Sequence, residues 1–199
     1  MNAISMHRLA RRPGLLAVAG MLALSVAACG TMGAARVQPM GSNPRGMATT
    51  VDGPVLWGAG IWCSNTARGV DIEDVIWQEN DEIDIVAFSV QSFAPFENRM
   101  GRITATLEKE YPDTYNDRTV RGRCDDDPSD ADSAQNNGAP SKVLSQLVLE
   151  LRLADPTKVG HAMGLRARTA RGVSAAEPVT VVLCPADMKP CEEDSWKKQ

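Results

Sequence analysis

The sequence predicts a mostly β fold in which about seven short strands form an antiparallel β-sandwich braced by disulfides. Three observations lead to this prediction. Apolar residues recur at every second position in several segments, which is the spacing of side chains on one face of a strand. Clusters of turn-forming residues separate these segments. The region after residue 30 also contains an even number of cysteines.

The clearest predicted strand is Lys142–Leu153. Leu147, Leu149 and Leu151 share one of its faces, whereas Glu150 lies on the other. This alternation is typical of a strand that packs one face into a core.

Six further segments are predicted strands because they alternate or are rich in β-branched and aromatic residues. They are Val55–Cys63, Val70–Gln78, Ile83–Phe93, Arg102–Leu107, His161–Arg168 and Val179–Leu183. The turn-like stretch Ala170–Pro178 joins the last two as a predicted hairpin. Short strands separated by turns in this way indicate a sandwich of immunoglobulin-like style.

The first 28 residues have the three parts of an export signal. Three arginines and no acidic residue precede an apolar run, Leu15–Val26, and two alanines follow it. A bilayer-spanning helix needs about 20 apolar residues, so this run is too short to favour a membrane-spanning anchor.

The tetrapeptide Val26-Ala27-Ala28-Cys29 resembles the lipobox of bacterial lipoproteins. The resemblance covers only the leader. It implies that residues 1–28 are removed and that Cys29 carries several acyl chains, palmitate among them. Several chains give stable anchoring, because each buried CH₂ contributes about 0.8 kcal/mol. The expected location is the extracytoplasmic face of the cell membrane or the outer membrane.

Composition divides the rest of the chain into three parts. Residues 29–53 are rich in glycine and polar residues and are predicted to be a flexible tether. Residues 54–194 are enough for a single domain with one core, and 195–199 form a C-terminal tail. Within the domain, 111–141 is predicted to be a long polar loop.

The acidic part of that loop, Asp125–Gly138, has too few apolar residues to order itself by burial. It could supply oxygen ligands to calcium, but an EF-hand loop needs glycine at its sixth position and glutamate at its twelfth. Those positions hold Asp130 and Asn136. We therefore expect a solvated loop and no metal site.

The charge balance bears on the choice of partner. The whole chain has a formal net charge of −4, and loss of the three leader arginines makes it −7. A net-acidic domain is a poor electrostatic partner for nucleic acid or anionic lipid headgroups, so no nucleic-acid partner is expected.

A run of acidic residues lies between Asp71 and Asp84. It could be a patch for a basic partner. The simpler interpretation is pairing within the chain, with two groups of arginines: Arg118, Arg121 and Arg123, and Arg166, Arg168 and Arg171.

Four cysteines remain after Cys29, and an exported chain meets an oxidising compartment. They therefore indicate two disulfides. Zinc binding is less consistent with the sequence, which has no C-x2-C knuckle and only His161 beyond the leader. Four cysteines allow three pairings. We favour Cys63–Cys124 and Cys184–Cys191, because the short segment between the last two contains two prolines and can close as a loop.

A candidate ligand-binding surface lies in Val55–Cys63. In a regular strand Gly58, Gly60 and Trp62 share a face, where the glycines would leave a shallow trough beside an aromatic wall. Such a trough could hold a sugar ring, an aliphatic chain or a partner's aromatic side chain. The alternative is that Trp57 packs in the core and the glycines allow a neighbouring element to approach closely.

Catalytic residues are not evident. His161 is the only histidine beyond the leader, and the sequence has no G-x-S-x-G, no phosphate-binding glycine loop and no H-E-x-x-H. We therefore expect no catalytic residues and no cofactor. The sequence favours a membrane-anchored envelope lipoprotein that acts as a non-enzymatic protein-binding or structural module. The alternatives are a small-ligand or glycan-binding lipoprotein that uses the Trp62 trough, and an envelope hydrolase.

The lipobox makes a direct prediction about Cys29. Replacing it by alanine removes the thiol that would be acylated, so acyl labelling should be lost and unprocessed precursor should accumulate. Metabolic labelling with a fatty-acid analogue, followed by membrane fractionation, measures both effects. A Cys29→Ala protein that is processed and stays with the membrane as before would contradict the lipid anchor.

Overall fold

The structure is a computed structural model that describes residues 35–40, 46–93, 102–125 and 144–192. These residues belong to one compact unit that begins at Ala35. The described elements, in chain order, are β1 (Val37–Pro39), β2 (Gly46–Val51), β3 (Val55–Ser64), β4 (Val70–Asp71), β5 (Asp74–Asp81), β6 (Ile83–Phe93), β7 (Arg102–Ile103), α1 (Leu107–Glu110), β8 (Thr119–Val120), β9 (Leu144–Leu153), β10 (Gly160–Thr169), β11 (Gly172–Val173) and β12 (Glu177–Pro185).

The strands form two five-stranded sheets and one small sheet. In sheet I, β9 lies between β3 and β6, and β1 and β7 pair with the other edge of β3. In sheet II, Ala162 of β10 lies opposite both Asn80 of β5 and Val181 of β12, so those strands flank β10. β2 pairs in parallel with β12, and the short β11 pairs with the end of β10. β4 and β8 form the small sheet.

The inner faces of sheets I and II share one core. Leu147, Leu149 and Leu151 of β9 face Leu165 of β10 and Val181 of β12, and each of these five side chains is 0% exposed. Two sheets that bury a common apolar layer form a sandwich. The predicted mostly β, disulfide-braced sandwich is therefore confirmed.

The strand order also agrees with the predicted immunoglobulin-like style. In that fold the second, fifth and fourth strands belong to one sheet, and the third, sixth and seventh to the other. Among the described strands the seven longest are β2, β3, β5, β6, β9, β10 and β12. When these seven strands are numbered from one to seven in chain order, β3, β9 and β6 are the second, fifth and fourth, and β5, β10 and β12 are the third, sixth and seventh. Both sheets therefore have the immunoglobulin strand order.

Residues 104–124, which we call the strap, cover the outer face of sheet I. Leu107 of α1 is buried against Leu56 and Val148, which point away from the main core. The buried carboxylate of Glu150 accepts a hydrogen bond from the Leu107 N–H at 2.8 Å. Thr106 supplies the N-cap, since its hydroxyl accepts from the Lys109 N–H. Strand β9 is therefore covered on both faces.

The end of the strap is joined to the sandwich by backbone hydrogen bonds. The Asp117 carbonyl accepts from the Val90 N–H at 2.8 Å, and the Ser145 hydroxyl accepts from the N–H groups of Arg121 and Gly122.

Burial acts to raise the pKa of the Asp117 carboxyl, but hydrogen bonds from Arg121 and Thr119 outweigh it and lower the pKa. The carboxylate thus stays ionised and paired with Arg121 at 2.6 Å.

The two predicted disulfides are confirmed. Cys63 at the end of β3 is bonded to Cys124 at the end of the strap, and Cys184 of β12 is bonded to Cys191. Among the described residues, no three or more His, Cys, Asp or Glu side chains are placed to hold a metal ion. None of the described helices is long and apolar enough to cross a membrane.

Several predicted boundaries differ from the structure. The predicted tether 29–53 is too long, because β1 and β2 lie inside it and Val37 and Met47 belong to the core. β1 has three residues, too few for an alternating pattern to be recognised. In the predicted strand Arg102–Leu107 only the first two residues form a strand, because Thr106 is the N-cap of α1 and Leu107 is its first residue. The predicted loop 111–141 contains β8.

Some predictions fall on residues outside the described part of the chain. They are the export signal 1–28, the lipidation site Cys29, the tail 195–199, and the acidic loop apart from Asp125.

The Cys63–Cys124 bond gives a stability prediction. Replacing both cysteines by alanine should lower the free energy of unfolding by roughly 4 kcal/mol, because the bond closes a long loop in the unfolded chain. Urea unfolding at equilibrium without reductant measures the change. The matched control is alanine at Cys184 and Cys191, which are only seven positions apart, so the loss should be smaller, about 2–3 kcal/mol. A larger loss in the control would contradict the loop-length argument.

Candidate functional site

The predicted trough residues do not share a face, because β3 contains a β-bulge. Gly58 lies opposite Val148 and Ile61 opposite Gln146, so β3 has one more residue than β9 between these pairs. Gly60 takes a φ of 99°, a left-handed conformation that favours glycine. The bulge reverses the alternation after Gly60.

Trp62 consequently faces the main core, together with Trp57 and Ala59. It is 0% exposed, and its indole N–H donates to the Ala59 carbonyl at 3.4 Å. A ligand could therefore reach the ring only if the surrounding strands separated.

Gly58 lies under the side chain of Gln146. A Cβ atom added to Gly58 would overlap the Gln146 amide, so a larger residue would require that side chain to move. Gly58, Gly60 and Trp62 thus form no open trough in the structure. The close approach of a neighbouring element, which was the alternative interpretation of the glycines, is what occurs at Gly58.

The face of β10 on which His161 lies also depends on an irregularity in the strand, at Gly164. Gly164 has a φ of 64°, and both Ala162 and Leu165 point into the core. Because successive strand residues point to opposite faces, His161 lies on the outer face of sheet II. It is buried there, 7% exposed.

A pocket of about 360 Å³ lies where the edge of sheet I meets the end of sheet II. β1 forms one wall, and the turn that joins β10 to β11, together with the residues after β11, forms the other. The lining residues are Arg36, Val37, Gln38, Thr169, Arg171, Gly172, Val173, Ser174 and Ala175. Small-molecule sites commonly measure about 300–1,000 Å³, so the pocket has room for one small group.

Two arginines give the pocket its charge. Arg36 and Arg171 are both exposed, and neither guanidinium has an ion-pair partner among the residues that the structure describes. Arg171 was predicted to pair with the acidic run. Of its group, Arg168 does pair with Asp74, at 3.4 Å, and Arg166 donates to Gln78 instead.

The backbone of the turn is held by two hydroxyl groups. Thr169 Oγ1 accepts from the Arg171 N–H and donates to the Gly172 carbonyl, both at 3.2 Å. Ser174 Oγ accepts from the Ala167 N–H at 2.9 Å and donates to the Ala175 carbonyl at 2.7 Å. The hydrogen atoms of both hydroxyls are therefore already engaged inside the turn.

The opposite wall is fixed as well. The Arg36 N–H donates to Asn65 Oδ1 at 2.7 Å, and the Arg36 carbonyl accepts from the Asn65 N–H at 3.2 Å. Val37, the next residue, is 3% exposed in the core. The pocket is thus built from two anchored segments.

Comparison of the chain with known protein families, with curated proteins and with solved structures found no match.

Sequence reasoning missed this pocket for two reasons. Arg36 lies in a segment that was predicted to be a tether, and Arg171 lies in a predicted turn whose charge was assigned to the acidic run. The remaining signal was weak, an arginine beside a glycine in a hairpin turn, which is common on protein surfaces.

The turn hydrogen bonds make a prediction. Thr169→Val keeps the size of the side chain but removes both bonds of the hydroxyl and leaves the Arg171 N–H without its acceptor. The free energy of unfolding should fall by about 1–3 kcal/mol. The control is Thr104→Val at an exposed threonine of the strap, where the change should stay within about 0.5 kcal/mol. Urea unfolding of both variants provides the measurement, and equal losses would show that the Thr169 hydroxyl does not hold the turn.

Proposed function

We propose that the protein is a lipid-anchored, extracytoplasmic binding module that holds an envelope protein, and that it acts by binding and not by catalysis. The lipobox resemblance supports the anchor and the location. The disulfides support an oxidising compartment. The immunoglobulin-like sandwich is a scaffold that carries binding loops in many proteins, which supports binding by analogy alone.

The proposal rests on the surface formed by the pocket and the turn after β10, which we call the hairpin surface. Val173 is 49% exposed there, beside Arg36 and Arg171, which have no ion-pair partner within the described part of the chain. Arginine is enriched at contact surfaces between proteins, and two arginines line this one.

The hairpin surface is supported by buried strands of sheet II. β10 lies between β5 and β12, and its residues Leu165 and Ala167 are 0% exposed in the core. A loop held by rigid strands loses little conformational entropy when it binds, which favours affinity. In immunoglobulin-like domains, the connection between the sixth and seventh strands occupies the same position and often carries binding residues.

The distance to the proposed anchor restricts where the partner lies. Arg36 is seven positions after Cys29, and an extended chain spans at most about 3.6 Å per residue, so Arg36 of the pocket lies within about 25 Å of the acylated cysteine. This limit holds for any conformation of the intervening residues. The proposed partner is therefore an envelope protein that is present close to the membrane surface.

Site-specific photo-crosslinking tests the proposed function. A photoreactive amino acid at position 173 of the full-length protein, irradiated in intact cells, should give a discrete adduct with an extracytoplasmic protein, identified by mass spectrometry. The matched control is position 86, because Val86 on β6 is 44% exposed but does not line the pocket. No adduct at 173, or the same adduct at both positions, would contradict the hairpin surface as the contact.

A further inference from the structure

The pocket contains positive charge in a chain where acidic residues are in excess. The full chain has 21 basic and 25 acidic residues. Four described arginines each have a carboxylate oxygen within 3.4 Å: Arg121, Arg123, Arg152 and Arg168. Within the described part of the chain, Arg36 and Arg171 lack such a partner, as do Arg68, Arg118 and Arg166, and of these five Arg36 and Arg171 line the pocket. The described residues therefore supply no carboxylate that neutralises the two arginines on the pocket lining.

The donors that remain free in the pocket are mostly charged. The hydroxyl hydrogens of Thr169 and Ser174 are engaged by backbone carbonyls. The guanidinium groups of Arg36 and Arg171 and the amide of Gln38 are then the principal side-chain donors. A neutral ligand such as a sugar would need both donors and acceptors, whereas an oxyanion needs only donors. The composition favours an anionic ligand.

Guanidinium groups suit this task by their geometry. Each presents a planar fork of N–H donors that matches the two oxygens of a carboxylate, and charge-assisted hydrogen bonds are about twice as strong as neutral ones. The two walls that carry the arginine backbones are held in place by the Asn65 and Thr169 hydrogen bonds. The backbone positions are therefore fixed before a ligand arrives.

We infer that the pocket binds a carboxylate group of an acidic segment of the partner protein, held between Arg36 and Arg171, while the segment packs against Val173. The inference rests on the proposed function, because a protein partner presents its negative charge as carboxylates. The pocket volume of about 360 Å³ accommodates one such side chain or a chain terminus. The net charge of −7 without the leader disfavours long-range attraction of an acidic partner, so recognition depends on this local pocket.

Calorimetric titration of the full-length protein in a non-ionic detergent tests the inference. The probe is the peptide acetyl-Gly-Glu-Gly-Glu-Gly-amide, and the control peptide has glutamine in place of glutamate. The acidic peptide should bind and the control should not. Arg36→Gln and Arg171→Gln should each raise the Kd about tenfold or more, because each removes charge-assisted hydrogen bonds. Arg171→Lys should restore only part of the affinity, because it keeps the charge and loses the fork.

The charge-matched control is Lys109→Gln. Lys109 lies on α1 over the outer face of sheet I, has no ion-pair partner among the described residues, and does not line the pocket. Its loss should leave the Kd unchanged within about twofold. Arg36 and Arg171 are exposed, so their variants should fold, and unchanged melting temperatures check this.

Three results would overturn the inference. One is absence of acidic-peptide binding up to about 10 mM, which corresponds to a very weak interaction. Another is binding that Arg36→Gln and Arg171→Gln do not weaken. The third is binding of inorganic phosphate or of phosphatidylglycerol vesicles, dependent on both arginines, without binding of the acidic peptide, because this would assign the pocket to a phosphate group. If the crosslink at position 173 persists in any of these cases, the proposed function stands and only the ligand class is wrong.

Discussion

Burial of β9 on both faces is the constraint on which the rest of the structure depends. Its inner leucines fill the space between the two sheets, and each contributes roughly 1.5–3 kcal/mol by leaving water. Its outer face carries Val148 and Glu150, which would be exposed on a simple sandwich. The strap covers them, and Glu150 becomes the acceptor for the first N–H of α1. An acidic side chain in this position is favourable, because the N-terminus of a helix carries unpaired donors. The covering strap is linked at its far end to β3 by the Cys63–Cys124 disulfide, so the bond holds the strap against the sheet that contains β9.

The two sheets therefore differ in which of their surfaces are covered. Sheet I is covered by the strap on the side away from the core. Sheet II presents the turn after β10 and the exposed Val173, and its neighbour β1 completes the pocket. The proposed binding surface therefore lies where the strap does not reach. Because β10 is held on both edges, the turn is supported by a part of the fold that opens only with the core.

The parts of the fold that follow from periodicity could be predicted from the sequence, and the rest depends on tertiary contacts. The alternating leucines of β9 and the hairpin after it could be predicted from local spacing, and the number of disulfides from the even count of cysteines. The face of Trp62 is different, since one left-handed residue, Gly60, inverts every position after it. A bulge of this kind leaves no mark beyond a glycine in a strand. β1 is also hidden, because three residues show no period. Arg36 could not be placed in a site until β1 was placed in a sheet.

The ordering of β1 alters how the proposed anchor acts. A tether of residues 29–53 would let the domain move far from the bilayer, and any surface of the domain could then face a partner. With Val37 buried in the core, the fold begins only eight residues after Cys29. The covalent link then enters the domain at the wall of the pocket itself. If Cys29 is acylated as proposed, a partner in the pocket contacts the domain within about 25 Å of the anchor. Under the same proposal, a short link raises the effective concentration of partners in the same membrane, which lowers the affinity that the pocket itself must supply.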